Sequence, residues 1–282
     1  MIPSAFEYHA PATLEEAVGL LAQYGEDAKI LSGGHSLIPL LKTRIARLGI
    51  AVDIGRIRDL SDIREESGVC RIGACATHYL IESSDVLNRC CPLLPQVAAQ
   101  IGDVQVRNKG SIGGSLAHAD PAADYPAAAI ALRASLVAVG PKGEREIPID
   151  DFFLGPLATS LAPDEILKEV RIPDAGAACA YRKVAQRASG FAVVGIAVQL
   201  ALDDGRCTGA GVGVTGLADH AFRATGVEEG LAGRVLDEAA VEAAAAKAAG
   251  GVKPLEDLFA SSNYRAHLAR VHCRRAIQAA LA

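Results

Sequence analysis

Two short stretches of this chain combine glycine with hydroxyl, imidazole and carboxylate side chains more densely than a packed core allows. They are LSGGHSLIPLLK at 31–42 and GSIGGSLAHADPAAD at 110–124. Glycine lets a backbone adopt positive φ or come close to a ligand. Consecutive backbone N–H groups in such turns form anion-binding concavities, and small hydroxyls add donors without bulk. On this reading Ser32, Gly33, Gly34, His35 and Ser36 make one cradle, and Ser111, Ile112, Gly113, Gly114 and Ser115 make another. The chain has no G-x-x-x-x-G-K-[ST] sequence, so the phosphate loop of that type is absent. Two cradles without its lysine suit a pyrophosphate held between two segments. Either stretch alone would serve equally as a tight turn. The region 110–124 reads as a loop, because Ile112 is the one bulky apolar side chain in its first half.

Other chemistries fit the residues less well. His35, His118, Asp120 and Asp124 could ligate a metal, but their spacing matches no metal motif, and no metal is expected. Ser36, Ser115, His35, His78, His118, Asp53 and Asp120 could compose a Ser-His-Asp set, yet no G-x-S-x-G elbow is present. Gly211-Val-Gly-Val-Thr-Gly216 matches G-x-G-x-x-G. A dinucleotide fingerprint needs a strand before it and a helix after it. Here the glycines fall inside the second strand of an expected hairpin, and Leu217-Ala-Asp-His220 is a poor helix start. Glycines in a strand more often mark close backbone packing or a bulge. The seven cysteines include no C-x-x-C pair. They read as reduced, small apolar side chains, adjacent Cys90 and Cys91 included.

The elements that must position these residues follow from periodicity. Thr13-Leu-Glu-Glu opens a helix over 13–24 with a capping-box pattern, and Gly25 stops it. Strands at 28–31 and 50–54 complete a small β-α-β unit whose glycine turn follows its first strand. Short strands at 63–65 and 69–72, helices over 77–84 and 93–101, and a helix over 126–132 too apolar for exposure come next. A hairpin pairs 135–139 with 146–149, and a further strand ends at Pro173. Pro, Gly and Ala collect at 174–177, an expected boundary. Strands at 179–184, 193–202 and 207–215 follow, the last two joined by Asp203-Asp-Gly205. Helices over 237–249 and 264–280 close the chain. The expected class is α+β, with domains at 1–175 (subdomains about 1–55 and 56–175) and 176–282, the latter a three-stranded antiparallel sheet plus helices.

Bulk properties narrow the function. Half of the 282 residues are hydrophobic, aromatics are 4% with no Trp, and 28 basic against 33 acidic residues leave a net charge of -5. That balance argues against nucleic acid, whose binding rests on phosphate neutralisation. No apolar run reaches the roughly 18 residues that span a membrane. MIPSAFEYHAP lacks the charged and apolar regions of a secretory signal, so the expected location is cytoplasmic, free or peripheral at the inner membrane face.

Together, Ser32-Gly-Gly-His-Ser-Leu37 and Ser111-Ile-Gly-Gly-x5-Asp120-Pro-x-x-Asp124 resemble the FAD-binding medium subunits of molybdenum hydroxylases, with aerobic carbon monoxide dehydrogenase nearest in pattern. Xanthine dehydrogenase carries the same module within a longer chain. The resemblance runs from Met1-Ile-Pro to Arg274-Arg-Ala. It implies an FAD-binding fold of the vanillyl-alcohol oxidase type, with two α/β subdomains and a C-terminal α+β domain. It also implies noncovalent FAD gripped by both glycine stretches, Asp124 on the ribityl or ribose side, and Leu161 and Lys183 near the adenine and the flavin ring. Phe191 stands where carbon monoxide dehydrogenase relatives carry a tyrosine over one flavin face, and Ser115 where relatives often have Asn. The cysteine-rich insertion that holds a [4Fe–4S] cluster in the 4-hydroxybenzoyl-CoA reductase relatives is missing.

The implied role is electron transfer with no catalytic side chain. Electrons pass from the [2Fe–2S] clusters of a small subunit, fed by a molybdenum-cofactor large subunit, to NAD, quinone, cytochrome or oxygen. The implied assembly is a dimer of heterotrimers. The rival reading is a free-standing FAD oxidase or dehydrogenase with its own small substrate.

Overall fold

The computed structural model describes residues 2–282. Near the N-terminus, β1 (Glu7–His9), α1 (Leu14–Tyr24), β2 (Ala28–Leu31), α2 (Leu37–Lys42) and β3 (Ile50–Asp53) form a parallel sheet in the order β1-β3-β2. The Thr13 hydroxyl accepts from the Glu16 amide at 3.1 Å, and the Glu16 carboxylate accepts from the Ala12 amide at 2.8 Å. The expected box is therefore offset by one residue. Gly25, at φ 56°, ends the helix in a backbone region that favours glycine. β1 is three residues of mixed exposure, too short for periodicity to reveal.

The second region contains β4 (Ile63–Glu66), β5 (Val69–Gly73), α3 (His78–Glu82), α4 (Asp85–Cys90), α5 (Leu93–Ala98), α6 (Val104–Arg107), α7 (Ile112–His118) and α8 (Asp124–Ala131). It continues through β6 (Ser135–Gly140), β7 (Gly143–Pro148), β8 (Phe153–Gly155), β9 (Ala158–Thr159) and β10 (Ile166–Pro173). Five of these strands make an antiparallel sheet ordered β4-β5-β10-β6-β7, and β8 pairs with β9 separately. Two expectations are corrected here. Residues 112–118 are helical rather than loop, because the Ser111 hydroxyl caps the Gly114 amide and starts α7. Cys70 and Cys90 are joined as a disulfide instead of standing reduced, since β5 and α4 bring together cysteines 20 residues apart. The other five cysteines are free and buried.

The C-terminal region is an antiparallel sheet ordered β11-β12-β13-β14, from β11 (Cys179–Ala185), β12 (Ala192–Asp203), β13 (Arg206–Thr215) and β14 (Phe222–Arg223). It has four strands where three are expected, the fourth being a two-residue addition. Asp204 and Gly205, at φ 46° and 76°, close the β12–β13 hairpin; positive φ at both central positions suits the right-handed twist of the strands. Helices α9 (Thr225–Leu231), α10 (Glu238–Ala245) and α11 (Ser262–Ala280) pack on this sheet. Buried Arg265 ties α11 to it, donating to the Val193 and Gly216 carbonyls at 2.5 and 2.7 Å and to Asp257 at 2.5 Å.

All eight residues of α8 are buried. One side of the helix joins the core of the second region, and the other lies on β13. A Cβ at Gly211 would sit 1.9 Å from the Ala131 carbonyl oxygen, and one at Gly213 would sit 1.9 Å from that of Ala127. The G-x-G-x-x-G sequence thus serves close helix-on-strand packing.

Gly211→Ala and Gly213→Ala should each destabilise the fold by the roughly 1–3 kcal/mol that overpacking costs and lower the thermal unfolding midpoint accordingly. Gly209→Ala, where a Cβ meets only the Ala201 Cβ at 3.7 Å, should unfold close to wild type. Equal melting of all three variants would refute this role for the glycines.

Candidate functional site

β2 delivers the first glycine stretch to the mouth of a cleft of about 490 Å³, within the size range of cofactor pockets. Ser32, Gly33, Gly34, His35 and Ser36 all line it. Among the described residues, no protein acceptor takes the backbone amides of Gly33, Gly34, His35 or Ser36. Gly34 has φ 73°, and the His35 ring donates from Nδ1 to the Gly33 carbonyl at 2.8 Å, closing the turn. These donors line the cleft uncommitted, as an anion cradle requires.

The second stretch works differently. The Ile112 and Gly113 amides donate to the Ala76 and Ala74 carbonyls at 3.1 and 2.8 Å, and the Gly114 amide donates to the Ser111 hydroxyl at 3.2 Å. Its amides are spent on seating α7, so it is not a second cradle of free donors. What it offers the cleft is the Ser111, Gly114 and Ser115 surface. Gly113 is glycine because a Cβ would come 2.5 Å from the Ala74 Cβ. The two stretches touch. The Ser32 and Ser111 hydroxyls are hydrogen-bonded to each other at 2.9 Å, and Ser32 also meets the Cys75 sulfur at 3.4 Å. A Cβ at Gly33 would fall 1.9 Å from the Lys109 carbonyl oxygen, so that glycine serves the contact between the stretches.

Asp124 also lines the cleft while only 5% exposed. Its Oδ1 accepts from the Tyr181 hydroxyl at 2.5 Å and its Oδ2 from the Lys183 ammonium at 2.9 Å. Burial pushes this carboxyl up, against the downward pull of the Lys183 charge and of the Tyr181 and Lys183 hydrogen bonds. Burial and the neighbouring Asp124 hold the Tyr181 phenol well above its ordinary value, so it remains a donor. Phe191 lies half exposed at the cleft. Its turn is pinned by Gln186, whose side-chain oxygen accepts from the Ser189 amide and hydroxyl at 2.5 and 2.7 Å.

Not every expected residue reaches the cleft. Ile112 and Gly113 are buried beneath it, Leu161 packs against the core of the second region, and Lys183 stands behind Asp124. His78, which the sequence offers only as a member of a Ser-His-Asp set, lines it as well. Its ring packs on Tyr125 at a centroid distance of 5.2 Å. Burial, aided by His35 and Arg107, lowers its pKa to about 4. His35, His118, Asp120 and Asp124 all line the cleft, yet among the described residues no three His, Cys, Asp or Glu side chains converge to share a metal ion. Among them, too, no helix is long and apolar enough to cross a membrane.

A cleft walled by a free-amide cradle, two paired hydroxyls and a buried, partnered carboxylate defines a protein that binds and orients a phosphate-bearing cofactor. Residues 4–175 match the model of the FAD binding domain in molybdopterin dehydrogenase, and residues 179–280 match that of the CO dehydrogenase flavoprotein C-terminal domain. The carbon monoxide dehydrogenase medium chain of Hydrogenophaga pseudoflava is 40% identical, covering 100% of this chain and 99% of that one. The 6-hydroxypseudooxynicotine dehydrogenase complex subunit alpha of Paenarthrobacter nicotinovorans is 36% identical, covering 100% and 96%. Among solved structures, carbon monoxide dehydrogenase from H. pseudoflava, lacking the Mo-pyranopterin moiety of its cofactor, superposes with a TM-score of 0.96 at 42% identity, covering 100% of this chain and 99% of that one. The chain belongs to the FAD-binding medium subunits of molybdenum hydroxylases. It is an oxidoreductase flavoprotein subunit with an electron-transfer role in a multi-subunit complex.

The His78 shift has a pH consequence. A folded value near 4 against roughly 6.5 unfolded means the unfolded state binds more protons between them. Stability is therefore present above about pH 6.5 and is lost as pH falls toward 4. Melting temperatures across this window should decline less steeply in His78→Phe, and an unchanged slope would contradict the assignment.

Proposed function

We propose that the cleft holds FAD, with its pyrophosphate on the free amides of Gly33, Gly34, His35 and Ser36. Those four uncommitted donors, lining one cleft, are the observation that carries the reading. The Ser115 hydroxyl supplies a further donor, the Ser32–Ser111 pair offers the one proton that its mutual bond leaves over, and Gly114 leaves room beside them. Ile112 and Gly113 act from beneath by seating α7. Asp124 accepts from the ribityl or ribose hydroxyls, and Phe191 covers one face of the flavin ring. Without the phenol that the resemblance places there, the Phe191 side chain can shield but not hydrogen-bond. Leu161 supports the adenine side from the core, and Lys183 acts through Asp124.

When bound, FAD supplies the redox chemistry, and the protein contributes binding, orientation and electrostatics. The neutral His78 and the partnered Asp124 keep unpaired charge away from the cleft floor. In the proposed complex the chain takes electrons from a small [2Fe–2S] subunit that a large molybdenum-cofactor subunit feeds, in a dimer of heterotrimers. It delivers electrons to NAD, quinone, cytochrome or oxygen. Substrate choice then lies on the partner subunits, a reading supported by relatives whose names cite carbon monoxide and 6-hydroxypseudooxynicotine at 40% and 36% identity.

The purified chain should be yellow, release FAD on acid precipitation, and show no dehydrogenase activity until its partners are added. Gly114→Val tests the cleft wall; a Cβ there would come 2.9 Å from the Ser111 hydroxyl oxygen, so the capping serine must shift. The variant should melt no lower than Ser111→Ala, which loses the cap alone, while losing at least tenfold in FAD affinity, about 1.4 kcal/mol. FAD retention at wild-type affinity, or substrate turnover by the isolated chain, would overturn the reading.

A further inference from the structure

We propose that Tyr181 and Lys183 are positioning residues for Asp124, so that the C-terminal sheet, and not the region carrying the glycine stretches, sets the acid's orientation toward the cofactor. The inference rests on the reading that the cleft binds FAD. It is carried by how completely the sheet holds the segment leading to Asp124. The Gly216 amide and the Thr215 hydroxyl donate to the Pro121 carbonyl at 2.8 and 2.9 Å. The same Thr215 hydroxyl reaches the Ala123 carbonyl at 2.7 Å, and the Ala192 amide reaches that of Ala122 at 3.3 Å. Every carbonyl from 121 to 123 is thus bonded to β12, β13 or the residue that follows β13, and β11 takes the carboxylate itself.

Tyr181 and Lys183 are two apart on β11, so their side chains leave the same face of the strand. Each donates to a different Asp124 oxygen. A carboxylate has about four acceptor positions, which leaves capacity on both oxygens for donors in the cleft. The Lys183 ammonium also donates to the Gln100 carbonyl at 2.9 Å, and its side chain is 3% exposed, so it does not reach the cleft. The site is built around the phenol as well. Gly195, opposite Lys183 on β12, would carry a Cβ only 2.3 Å from the Tyr181 oxygen. A side chain there would displace the hydroxyl that orients Asp124.

A double-mutant cycle on FAD affinity in the full-length chain tests this, with flavin fluorescence quenching and the visible circular dichroism of bound flavin as readouts. Asp124→Asn and Tyr181→Phe should each weaken FAD about tenfold, the order expected for losing one hydrogen bond to a charged group. Both should alter the flavin dichroism. In the Asp124→Asn background, Tyr181→Phe should cost less than twofold more, because it acts only through the acid. Wild-type affinity in Asp124→Asn would remove the reading that Asp124 meets FAD. Weak binding in Asp124→Asn with wild-type binding in Tyr181→Phe, or fully additive losses, would overturn the positioning role and leave that reading standing. Should Tyr181→Phe fail to fold, Lys183→Met paired with Asp124→Asn reads the same coupling, with Lys183→Arg expected to restore part of the affinity.

Discussion

The backbone contact between α8 and β13 is the constraint on which the rest of the site depends. Gly211 and Gly213 present bare backbone to the Ala131 and Ala127 carbonyls, so helix and strand approach more closely than any side chain would allow. Asp124 is the first residue of α8. Seating that helix therefore decides where the carboxylate stands relative to Tyr181 and Lys183. A stand-off of even one methyl group would lengthen hydrogen bonds of 2.5 and 2.9 Å out of their useful range. The two regions are bound to one another at the cleft, through the bonds of Tyr181 and Lys183 to Asp124.

A second contact, between the two glycine stretches, divides labour in a way their similar composition conceals. The first stretch keeps four amides without a protein acceptor in an open cleft. The second spends its amides on the Ala74 and Ala76 carbonyls and on its own capping serine, and contributes hydroxyls and a smooth wall. One stretch leaves its donors free while the other builds. The paired Ser32 and Ser111 hydroxyls keep the two in register.

Burial controls the electrostatics of the cleft. His78 is held neutral, with a pKa of about 4, and the Tyr181 phenol is held protonated. The Asp124 carboxyl, pushed up by burial, is drawn back by the Lys183 charge. These groups tune and orient an acceptor for a cofactor that brings its own reactivity. That division suits a subunit whose relatives serve complexes named for unlike substrates.

Local signals in the chain were enough for much of this. The Thr13 cap, the Asp204-Gly205 turn, the strands flanking it and the burial of the helix after Asp124 are each set by interactions within a few residues, and periodicity or turn chemistry exposes them. The two glycine stretches, read together, were also sufficient to indicate an FAD-binding subunit. Tertiary structure alone decided which glycines serve the ligand and which serve packing. Gly33 adds a contact with Lys109 to its free amide, Gly113 proves to be a contact point with Ala74, and the close packing expected of Gly211 and Gly213 is found to be the seat of α8. It also joined Cys70 to Cys90 and placed Lys183 behind Asp124 instead of in the cleft. The physical reason is common to all of these. A glycine, a thiol or an ammonium acquires its role from the atom that lies across from it, and those atoms belong to residues tens of positions away in the chain.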